Sequence, residues 1–315
     1  MKLIVQIPCL NEEHTLPATV RDVPLTIPGV DKVEILVIDD GSSDRTSEIA
    51  RQLGVDHIVR HSQRLGYGRA FKTGIDEALA LGADIIVNTD GDNQYFGGDI
   101  PRLIAPILEG WADLVVGDRQ VDRVAHFSRV KKFLQRFGSW VVRQASNTGI
   151  PDAASGFRAY SREAALRLHS FTDFSHSMET LIQAGRKGLA ITHVPIRTNQ
   201  PLRESRLFRS VWRYLLTSSA IIVRTYAMYK PLPIFFGTGA VLISTGLLLS
   251  GRFLYFYITG SPHGHVQSLI LAGALLVIGF QIVLIGLLAD LLAGVRSLAE
   301  EILYRSKKHD FPPKD

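Results

Sequence analysis

Cysteine is nearly absent from this chain of 315 residues, since Cys9 is its one cysteine. A lone cysteine forms no internal disulfide, which excludes a disulfide-stabilised fold and fits a reducing compartment. Cys9 lies in an apolar amino-terminal run, and we expect it to be an inert core residue. The sequence also lacks a zinc-ligand cluster, a catalytic serine–histidine–aspartate set and internal repeats.

Neither sign of charge is in large excess, because 35 basic residues face 30 acidic ones and leave a net charge of +5. So small an excess does not indicate a nucleic-acid partner. Long apolar runs are missing from the first 200 residues as well. Pro8, Asn11 and Glu12 interrupt the amino-terminal run early, so we do not expect a signal peptide.

The composition changes after about residue 231, where two long apolar segments follow one another. Segments 233–258 and 267–289 are each long enough to cross a bilayer, which takes about 20 residues. A buried hairpin in a soluble core is the alternative. We predict a transmembrane hairpin over residues 231–293, followed by a basic tail over residues 294–315.

Lysine and arginine are absent from the turn at residues 259–266, but they flank the hairpin on both sides. The positive-inside rule therefore predicts an integral membrane protein whose amino-terminal domain and tail lie in the cytoplasm. Residues 206–230 place apolar side chains at helical spacing, with Arg206, Arg209 and Arg213 between them. This pattern is typical of an amphipathic helix at a membrane surface, and a helix docked on its own domain is the alternative.

Short apolar runs alternate with helical patterns over the first 205 residues. Strand-like runs are residues 3–7, 34–39, 84–89 and 114–116, and helical patterns fall at 46–53, 67–81 and 101–109. Such alternation predicts an α/β fold, in which helices cover both faces of a mostly parallel sheet.

Two carboxylates, Asp90 and Asp92, come directly after one of these apolar runs. In open α/β sheets, ligands bind outside the carboxyl ends of the strands. Two hard oxygen donors so close together repel each other unless a cation lies between them. Mg²⁺ and Mn²⁺ complete such a shell with water and substrate phosphate. The pair therefore indicates a metal-bound phosphorylated substrate, although the same spacing also occurs in solvated turns.

Further polar motifs lie at residues 7–13, 37–44 and 155–158, the first two at the ends of predicted strands. Carboxylates along one crevice can accept hydrogen bonds from ribose hydroxyls and from the N–H groups of a base. Together with the acidic pair, these motifs resemble those of the family-2 glycosyltransferases, in particular the branch that uses polyprenyl phosphate. The resemblance covers about residues 3–210 and the two-span tail.

The resemblance implies a GT-A-like catalytic domain over residues 1–205 and a divalent metal, Mg²⁺ or Mn²⁺. It implies inverting transfer of one sugar from a UDP- or GDP-hexose to polyprenyl phosphate. The nucleotide-sugar ligands that it implies are Pro8, Leu10, Glu12, Asp40, Asp90, Gly91, Asp92 and Gln94. Of these, Asp90, Asp92 and Gln94 would hold the metal and the diphosphate. Arg203 and Arg206 fall where relatives have a flexible segment that closes over the diphosphate.

A lipid phosphate is already anionic near neutral pH, so as an acceptor it needs cations rather than a general base. We predict that residues 119–143 supply them, with Arg119, Ser128, Arg129 and Lys131 at the acceptor phosphate. Asp92, Arg119 and Arg129 are then the predicted catalytic residues. A solvated basic helix face is the alternative for each basic residue. Glu179 would suit a base for hydroxyl acceptors, but we expect it on a helix surface.

Two other functions fit parts of the sequence. A processive polysaccharide synthase would carry a Gln-x-x-Arg-Trp motif and more spans than this sequence has. A non-catalytic membrane adaptor on the same fold would have lost the acidic pair, which is intact. The sequence does not determine the donor sugar, the lipid length or the oligomeric state. It is compatible with a homo-oligomer.

Overall fold

The computed structural model of the protein describes residues 1–120, 139, 143, 148–168, 176–200, 231–259 and 266–312. Outside these residues lie the predicted amphipathic helix 206–230 and five predicted site residues, namely Ser128, Arg129, Lys131, Arg203 and Arg206. The described residues divide into two compact units. The first unit falls within Met1–Ile222 and Leu303–Asp315, and the second within Val223–Ile302.

The first unit contains the alternating strands and helices. Its strands are β1 (Lys2–Cys9), β2 (Lys32–Asp39), β3 (His57–Arg60), β4 (Ile85–Asn88), β5 (Leu114–Asp118), β6 (Arg158–Ser161) and β7 (Ile191–Pro195). Its main helices are α1 (Leu16–Asp22), α2 (Thr46–Gln52), α3 (Tyr67–Ala80), α4 (Ile100–Leu108), α5 (Arg162–Arg167) and α6 (His176–Arg186). Every strand and helix that the sequence predicts within the first 120 residues is present, with ends that agree within two residues.

The strands of the described residues form one seven-stranded sheet in the order β3-β2-β1-β4-β6-β5-β7. Strand β1 pairs in parallel with both β2 and β4, and β5 pairs in parallel with β7. Strand β6 runs antiparallel to its neighbours β4 and β5. The prediction of a mostly parallel α/β sheet is therefore confirmed. Because β2 and β4 lie on opposite sides of β1, the direction of strand succession reverses there, which creates a crevice at the carboxyl ends of β1 and β4.

The core of this unit lies on both faces of the central strands. Leu3, Ile4 and Val5 in β1 are fully buried, as are Ile86 and Val87 in β4. Burial on both faces explains why these strands are nearly continuous apolar runs without polar alternation. Cys9 is also buried in this core, as predicted from the sequence.

Helix α3 packs closely on the sheet because it presents a glycine to it. A Cβ atom at Gly74 would lie 2.2 Å from Oε1 of Gln6 and 2.8 Å from Cδ1 of Ile38. Any larger residue would therefore push the helix away from β1 and β2. This close packing fixes the position of Tyr67, the first residue of the helix.

The second unit consists of α7 (Pro231–Ile258) and most of α8 (Val266–Asp310). Within the described residues, these two helices are long and apolar enough to cross a membrane. Most of their side chains are exposed, unlike those of a core helix in a soluble protein. The helices are therefore candidate membrane spans, at the positions predicted from the sequence.

Small residues let α7 and α8 approach each other. A Cβ atom at Gly279 of α8 would lie 2.8 Å from Cγ1 of Ile243 and 3.0 Å from the carbonyl oxygen of Gly239 in α7. A Cβ atom at Gly246 of α7 would lie 3.1 Å from the carbonyl oxygen of Ala272 in α8. Close backbone approach at small residues is the usual packing of helices in a membrane, where dispersion contacts replace the hydrophobic effect.

The carboxyl-terminal part of α8 belongs to the first unit and contacts its helices there. The buried ammonium of Lys307 lies 2.6 Å from the carboxylate of Asp76 in α3, and the Tyr304 hydroxyl donates to Glu163 in α5. The guanidinium of Arg162 donates to the carbonyl oxygen of Phe311 at 2.6 Å. The segment Leu303–Asp315, predicted as part of a basic tail, thus contributes specific contacts to the first unit.

Candidate active site

Four polar loops meet at one edge of the sheet, because each follows the carboxyl end of a parallel strand. They come after Cys9 in β1, Asp39 in β2, Asn88 in β4 and Asp118 in β5. Residues 155–156 join them, since they precede the antiparallel strand β6. The predicted ligands Pro8, Leu10, Glu12, Asp40, Asp90, Gly91, Asp92, Gln94 and Arg119 all lie in or beside these loops. These residues therefore lie together at the carboxyl ends of the strands, where the sequence predicted them.

The loops after β1 and β2 are tied together by side-chain hydrogen bonds. Asn11 adopts a positive φ of 56°, which turns its backbone N–H toward the Ser42 hydroxyl at 2.9 Å. Its side-chain oxygen accepts from the backbone N–H of Ser43 at 2.8 Å. The backbone N–H of Glu12 donates to the Thr46 hydroxyl at 2.9 Å. The predicted nucleoside ligands Glu12 and Asp40 are thereby held on one connected framework.

The adjacent carboxylates Asp39 and Asp40 have different partners. Asp39 is fully buried and accepts from the backbone N–H of Ser42 and from the Ser47 hydroxyl. The carboxylate of Asp40 accepts from Leu65 N and Gly66 N, at 2.9 and 2.8 Å, and lies 2.8 Å from Nδ1 of His61. Asp40 therefore organises the turn that leads into α3. Its predicted contact with the nucleoside stays a prediction.

The acidic pair is half-buried in the loop after β4. Burial, together with the negative charge of Asp92, raises the pKa of the Asp90 carboxyl to about 7. The hydroxyl of Tyr67 donates a hydrogen bond to Oδ1 of Asp90. One oxygen of Asp92 accepts from the backbone N–H of Gln94 at 3.1 Å, which orients the loop.

The donor set at this pair suits a hard divalent cation. Among the described residues, no group of three or more histidine, cysteine, aspartate or glutamate side chains is placed to hold a metal. Two carboxylates and one amide oxygen, from Asp90, Asp92 and Gln94, match Mg²⁺ or Mn²⁺, which keep open positions for water and phosphate. The repulsion that raises the pKa of Asp90 is also the interaction that a cation would remove. The residues therefore fit the predicted metal.

Two glycines shape the surroundings of the acidic pair. A Cβ atom at Gly91 would lie 2.8 Å from Sγ of Cys9 and 3.4 Å from the carbonyl oxygen of Pro8. Gly91 is therefore packed against the end of β1. A Cβ atom at Gly156 would lie 3.2 Å from Oδ2 of Asp90, so the absence of a side chain leaves that oxygen room.

Arg119 follows β5 and is buried in an ion pair that the sequence did not predict. Its Nε and Nη2 atoms donate to the two oxygens of Asp152 at 2.7 and 2.8 Å. Burial alone would lower the pKa of the guanidinium, but Asp152, Tyr95 and Asp90 together raise it well above its usual range. Arg119 is therefore a fixed cation near Asp90. Its contact with a phosphate stays a prediction.

Arg158 and Asn199 donate hydrogen bonds to backbone carbonyl oxygens of the segments around the site. Arg158 is fully buried and donates to the carbonyl oxygens of Ala153, Ser155 and Ser177. The amide of Asn199 donates to the carbonyl oxygen of Asn93 at 3.1 Å, and so supports the loop after Asp92. Both residues have structural contacts, and the motif at 155–158 therefore acts in this structure as a scaffold.

One prediction about α6 is wrong. The sequence placed Glu179 on a helix surface, but its side chain is only 3% exposed. Residues 177–184 of this helix are buried all round. Sequence reasoning also missed Tyr67, Asn88 and Asp152, which contact site residues. Tyr67 had a weak signal, since it begins a helix directly after a glycine; Asp152 had none, because it lies in an irregular loop.

Comparison with known proteins agrees with this geometry. Residues 4–168, slightly more than half of the chain, match glycosyl transferase family 2. The chain is 30% identical over 206 residues to polyprenol monophosphomannose synthase from Mycolicibacterium smegmatis. This match covers 62% of this chain and 76% of that protein. The chain is 27% identical over 218 residues to undecaprenyl-phosphate mannosyltransferase from Micrococcus luteus, covering 66% of this chain and 88% of the relative.

A solved structure has the same fold. It is glucosyl-3-phosphoglycerate synthase from Mycobacterium tuberculosis, in complex with Mn²⁺, UDP-glucose and phosphoglyceric acid. The TM-score is 0.53 at 25% identity, over 72% of this chain and 78% of that one. Its Mn²⁺ supports divalent-metal dependence for the fold, and the GT-A-like fold predicted from the sequence is confirmed. The chain therefore belongs to glycosyl transferase family 2 and is a glycosyltransferase that groups with the polyprenyl-phosphate branch of that family.

Proposed function

We propose that this enzyme transfers one sugar from a UDP- or GDP-hexose to polyprenyl phosphate, with inversion, at the cytoplasmic face of a membrane. The observation that carries the proposal is the Asp90–Asp92 pair at the carboxyl end of β4, beside the fixed cation of Arg119. Attack on the anomeric carbon releases a nucleoside diphosphate, and negative charge grows on the leaving oxygen. Positive charge held next to that oxygen lowers the barrier.

The nucleotide part of the donor would lie along the loops after β1 and β2. Glu12 is held there by its backbone N–H, which donates to the Thr46 hydroxyl, and Asp40 accepts hydrogen bonds from the turn before α3. The diphosphate would then reach the edge of β4, one strand further along the sheet. When bound by Asp90, Asp92 and Gln94, a divalent cation supplies the Lewis acidity that stabilises the leaving diphosphate.

The acceptor side of the reaction places a different demand on the chain. A lipid phosphate is already anionic, so no residue has to remove a proton from it. Arg119 keeps its charge at any physiological pH, because Asp152 and Asp90 oppose the effect of burial. We assign the Arg119 guanidinium, oriented by Asp152, to this phosphate, together with the predicted Ser128, Arg129 and Lys131. Preorganised charges need no rearrangement as the transition state forms.

The two apolar helices support a lipid acceptor. α7 and α8 are candidate spans, and the named relatives act, by their names, on polyprenol and undecaprenyl phosphates. A soluble acceptor would not require such helices. The absence of basic residues between them favours a cytoplasmic catalytic domain by the positive-inside rule.

The proposal is tested with purified full-length protein in detergent. It is given undecaprenyl phosphate, Mg²⁺ or Mn²⁺, and a panel of labelled UDP- and GDP-sugars. We expect one donor to yield a lipid-linked monosaccharide, and EDTA to abolish the product. The substitution Asp92→Ala should reduce the rate by about 100-fold or more, the usual scale for losing electrostatic stabilisation of a leaving group.

Asp31→Ala is the matched control, since Asp31 is exposed and precedes β2 at the opposite edge of the sheet. This variant should keep the wild-type rate. Label that enters a long polymer would instead indicate a processive synthase. An absence of transfer from every donor would favour a non-catalytic adaptor. Either result contradicts the proposal.

A further inference from the structure

The Asp90 carboxylate is held by the protein on two sides. Its Oδ1 atom accepts from the hydroxyl of Tyr67, the first residue of α3. Gly156 lies against both oxygens, and a Cβ atom there would be 3.2 and 3.3 Å from them. The backbone N–H of Gly156 is itself bound to the Tyr95 hydroxyl at 2.9 Å. The direction of the carboxylate is thus determined by α3 and by the loop before β6.

Behind this contact, a row of buried amides continues into the sheet. Nδ2 of Asn88 donates to the carbonyl oxygen of Gly156 at 2.8 Å and lies 3.5 Å from the Tyr67 hydroxyl. Oδ1 of Asn88 accepts from Nε2 of Gln6 at 2.8 Å, across the pairing of β1 with β4. Gln6 and Asn88 are fully buried. Buried amides bonded in a chain hold fixed orientations, so they keep the phenol and the glycine in place.

The start of α3 also connects the acidic pair to the loop after β2, which carries Asp40. Asp40 binds the backbone N–H groups of Leu65 and Gly66, directly before Tyr67. Gly66 has a φ of 99°, a conformation that favours glycine, and this allows the chain to turn into α3 there. The start of α3 therefore joins the loop after β2 to the loop after β4.

We infer that Tyr67 is a positioning residue, which orients Asp90 through Oδ1 and would leave Oδ2 available to a divalent cation. The inference rests on the proposed function, because it takes Asp90 as a metal ligand. Outer groups that hydrogen-bond a metal-binding side chain fix its orientation, and removing one costs about 10- to 100-fold in metal affinity. The carboxylate oxygen of Asp90 can only accept, so the Tyr67 hydroxyl is the donor in this contact.

The test measures Mn²⁺ binding directly rather than turnover. Full-length wild type and Tyr67→Phe, both in detergent, are titrated with Mn²⁺ in the presence of UDP or GDP, and free Mn²⁺ is followed by electron paramagnetic resonance. The phenylalanine retains the ring and loses only the hydroxyl. We expect the Kd for Mn²⁺ to rise about tenfold, while the melting temperature shows that the variant is folded.

Tyr160→Phe is the matched control, since Tyr160 is a buried tyrosine of β6 that packs on Phe71. It loses the same hydroxyl group and should bind Mn²⁺ like the wild type. Tyr67→Met, whose flexible apolar side chain adapts to irregular space, gives a second hydroxyl-free variant in case Tyr67→Phe does not fold. Equal Kd values for the wild type and a folded Tyr67 variant would overturn the role of Tyr67 alone. A wild type that binds no Mn²⁺ with either nucleotide would overturn the metal site as well.

Discussion

At the scale of single residues, Arg119 and Asp152 make the most consequential contact in the site. Both side chains are almost fully buried, at 6% and 2% exposure, and their two hydrogen bonds are short. Parallel hydrogen bonds between a guanidinium and a carboxylate are strong and directional. The pair therefore fixes the position of a cation next to the acidic loop.

Replacing Asp152 with asparagine should be costly, because it leaves the Arg119 charge buried without a counter-charge. We expect Asp152→Asn to lower the free energy of unfolding by about 3 kcal/mol, the usual cost of breaking a buried ion pair from one side. Urea unfolding of the protein in detergent measures this loss. Glu13→Gln, which removes an exposed ion pair with Arg45, should cost about 1 kcal/mol or less. Similar losses for both variants would contradict the assigned role of the buried pair.

The acidic pair was predictable from sequence, and its neighbours were not. Asp90 and Asp92 follow an apolar run directly, so local order alone puts them at a strand end. The partners of Asp40 and Arg119 come from 21 to 33 residues away, which no local pattern encodes. Glu179 was misplaced for a related reason. A charged residue in a helix usually faces solvent, but residues 177–184 of α6 are all buried.

At the scale of elements, long apolar strands and helices were predicted well, and short strands were missed. Strands β1 and β4 are mostly apolar because both faces are buried. Strands β3 and β7 are only half-buried, so they lack this signal. Strand β6 is hidden by Arg158, a buried charge that reads as a surface residue. Periodicity thus identified the centre of the sheet and failed at its edge and at its antiparallel strand.

The glycines between α7 and α8 allow a prediction about the hairpin. Gly279→Ala adds a methyl group 2.8 Å from Ile243 and 3.0 Å from the Gly239 carbonyl oxygen. Such overpacking should destabilise the hairpin by about 1 to 3 kcal/mol and outweigh the gain of about 1 kcal/mol in helix propensity. The SDS concentration at half-unfolding, followed by circular dichroism, should fall.

Gly273→Ala makes the same chemical change on the same helix, but its Cβ would meet no atom within 4 Å. The gain in propensity should then act alone, and the half-unfolding concentration should stay constant or rise. A fall of equal size in both variants would show that α7 and α8 do not pack through the Gly279 position.

At the scale of the whole molecule, the chain is not two units in simple succession. The first unit takes its residues from both sides of the hairpin, since Leu303–Asp315 groups with Met1–Ile222. The sequence predicted a basic cytoplasmic tail over residues 294–315, from the lysines and arginines that follow the hairpin. Lys307 is instead 7% exposed and bound to Asp76, a pairing 231 residues apart.

Lys307→Met tests this arrangement. It keeps most of the apolar stem and removes the charge that Asp76 binds. We expect the free energy of unfolding of the first unit to fall by about 1.5 kcal/mol, the scale of a hydrogen bond between charged groups. Lys308→Met, at the exposed neighbouring position, loses a long 3.5 Å contact with the Tyr304 hydroxyl and should have a much smaller effect. Thermal unfolding in detergent compares the two, and equal melting temperatures would contradict the contact.

The contact of Lys307 with Asp76 also bears on how the protein is made. During synthesis, the strands β1 to β7 are complete long before Lys307 is added to the chain. The two apolar segments are synthesised in between, so Asp76 lacks its Lys307 partner during that time. Helix α3 carries both Asp76 and Tyr67, and therefore receives its final contact only after those segments have left the ribosome. The contacts that hold α3 would in this way be completed only after synthesis of the hairpin.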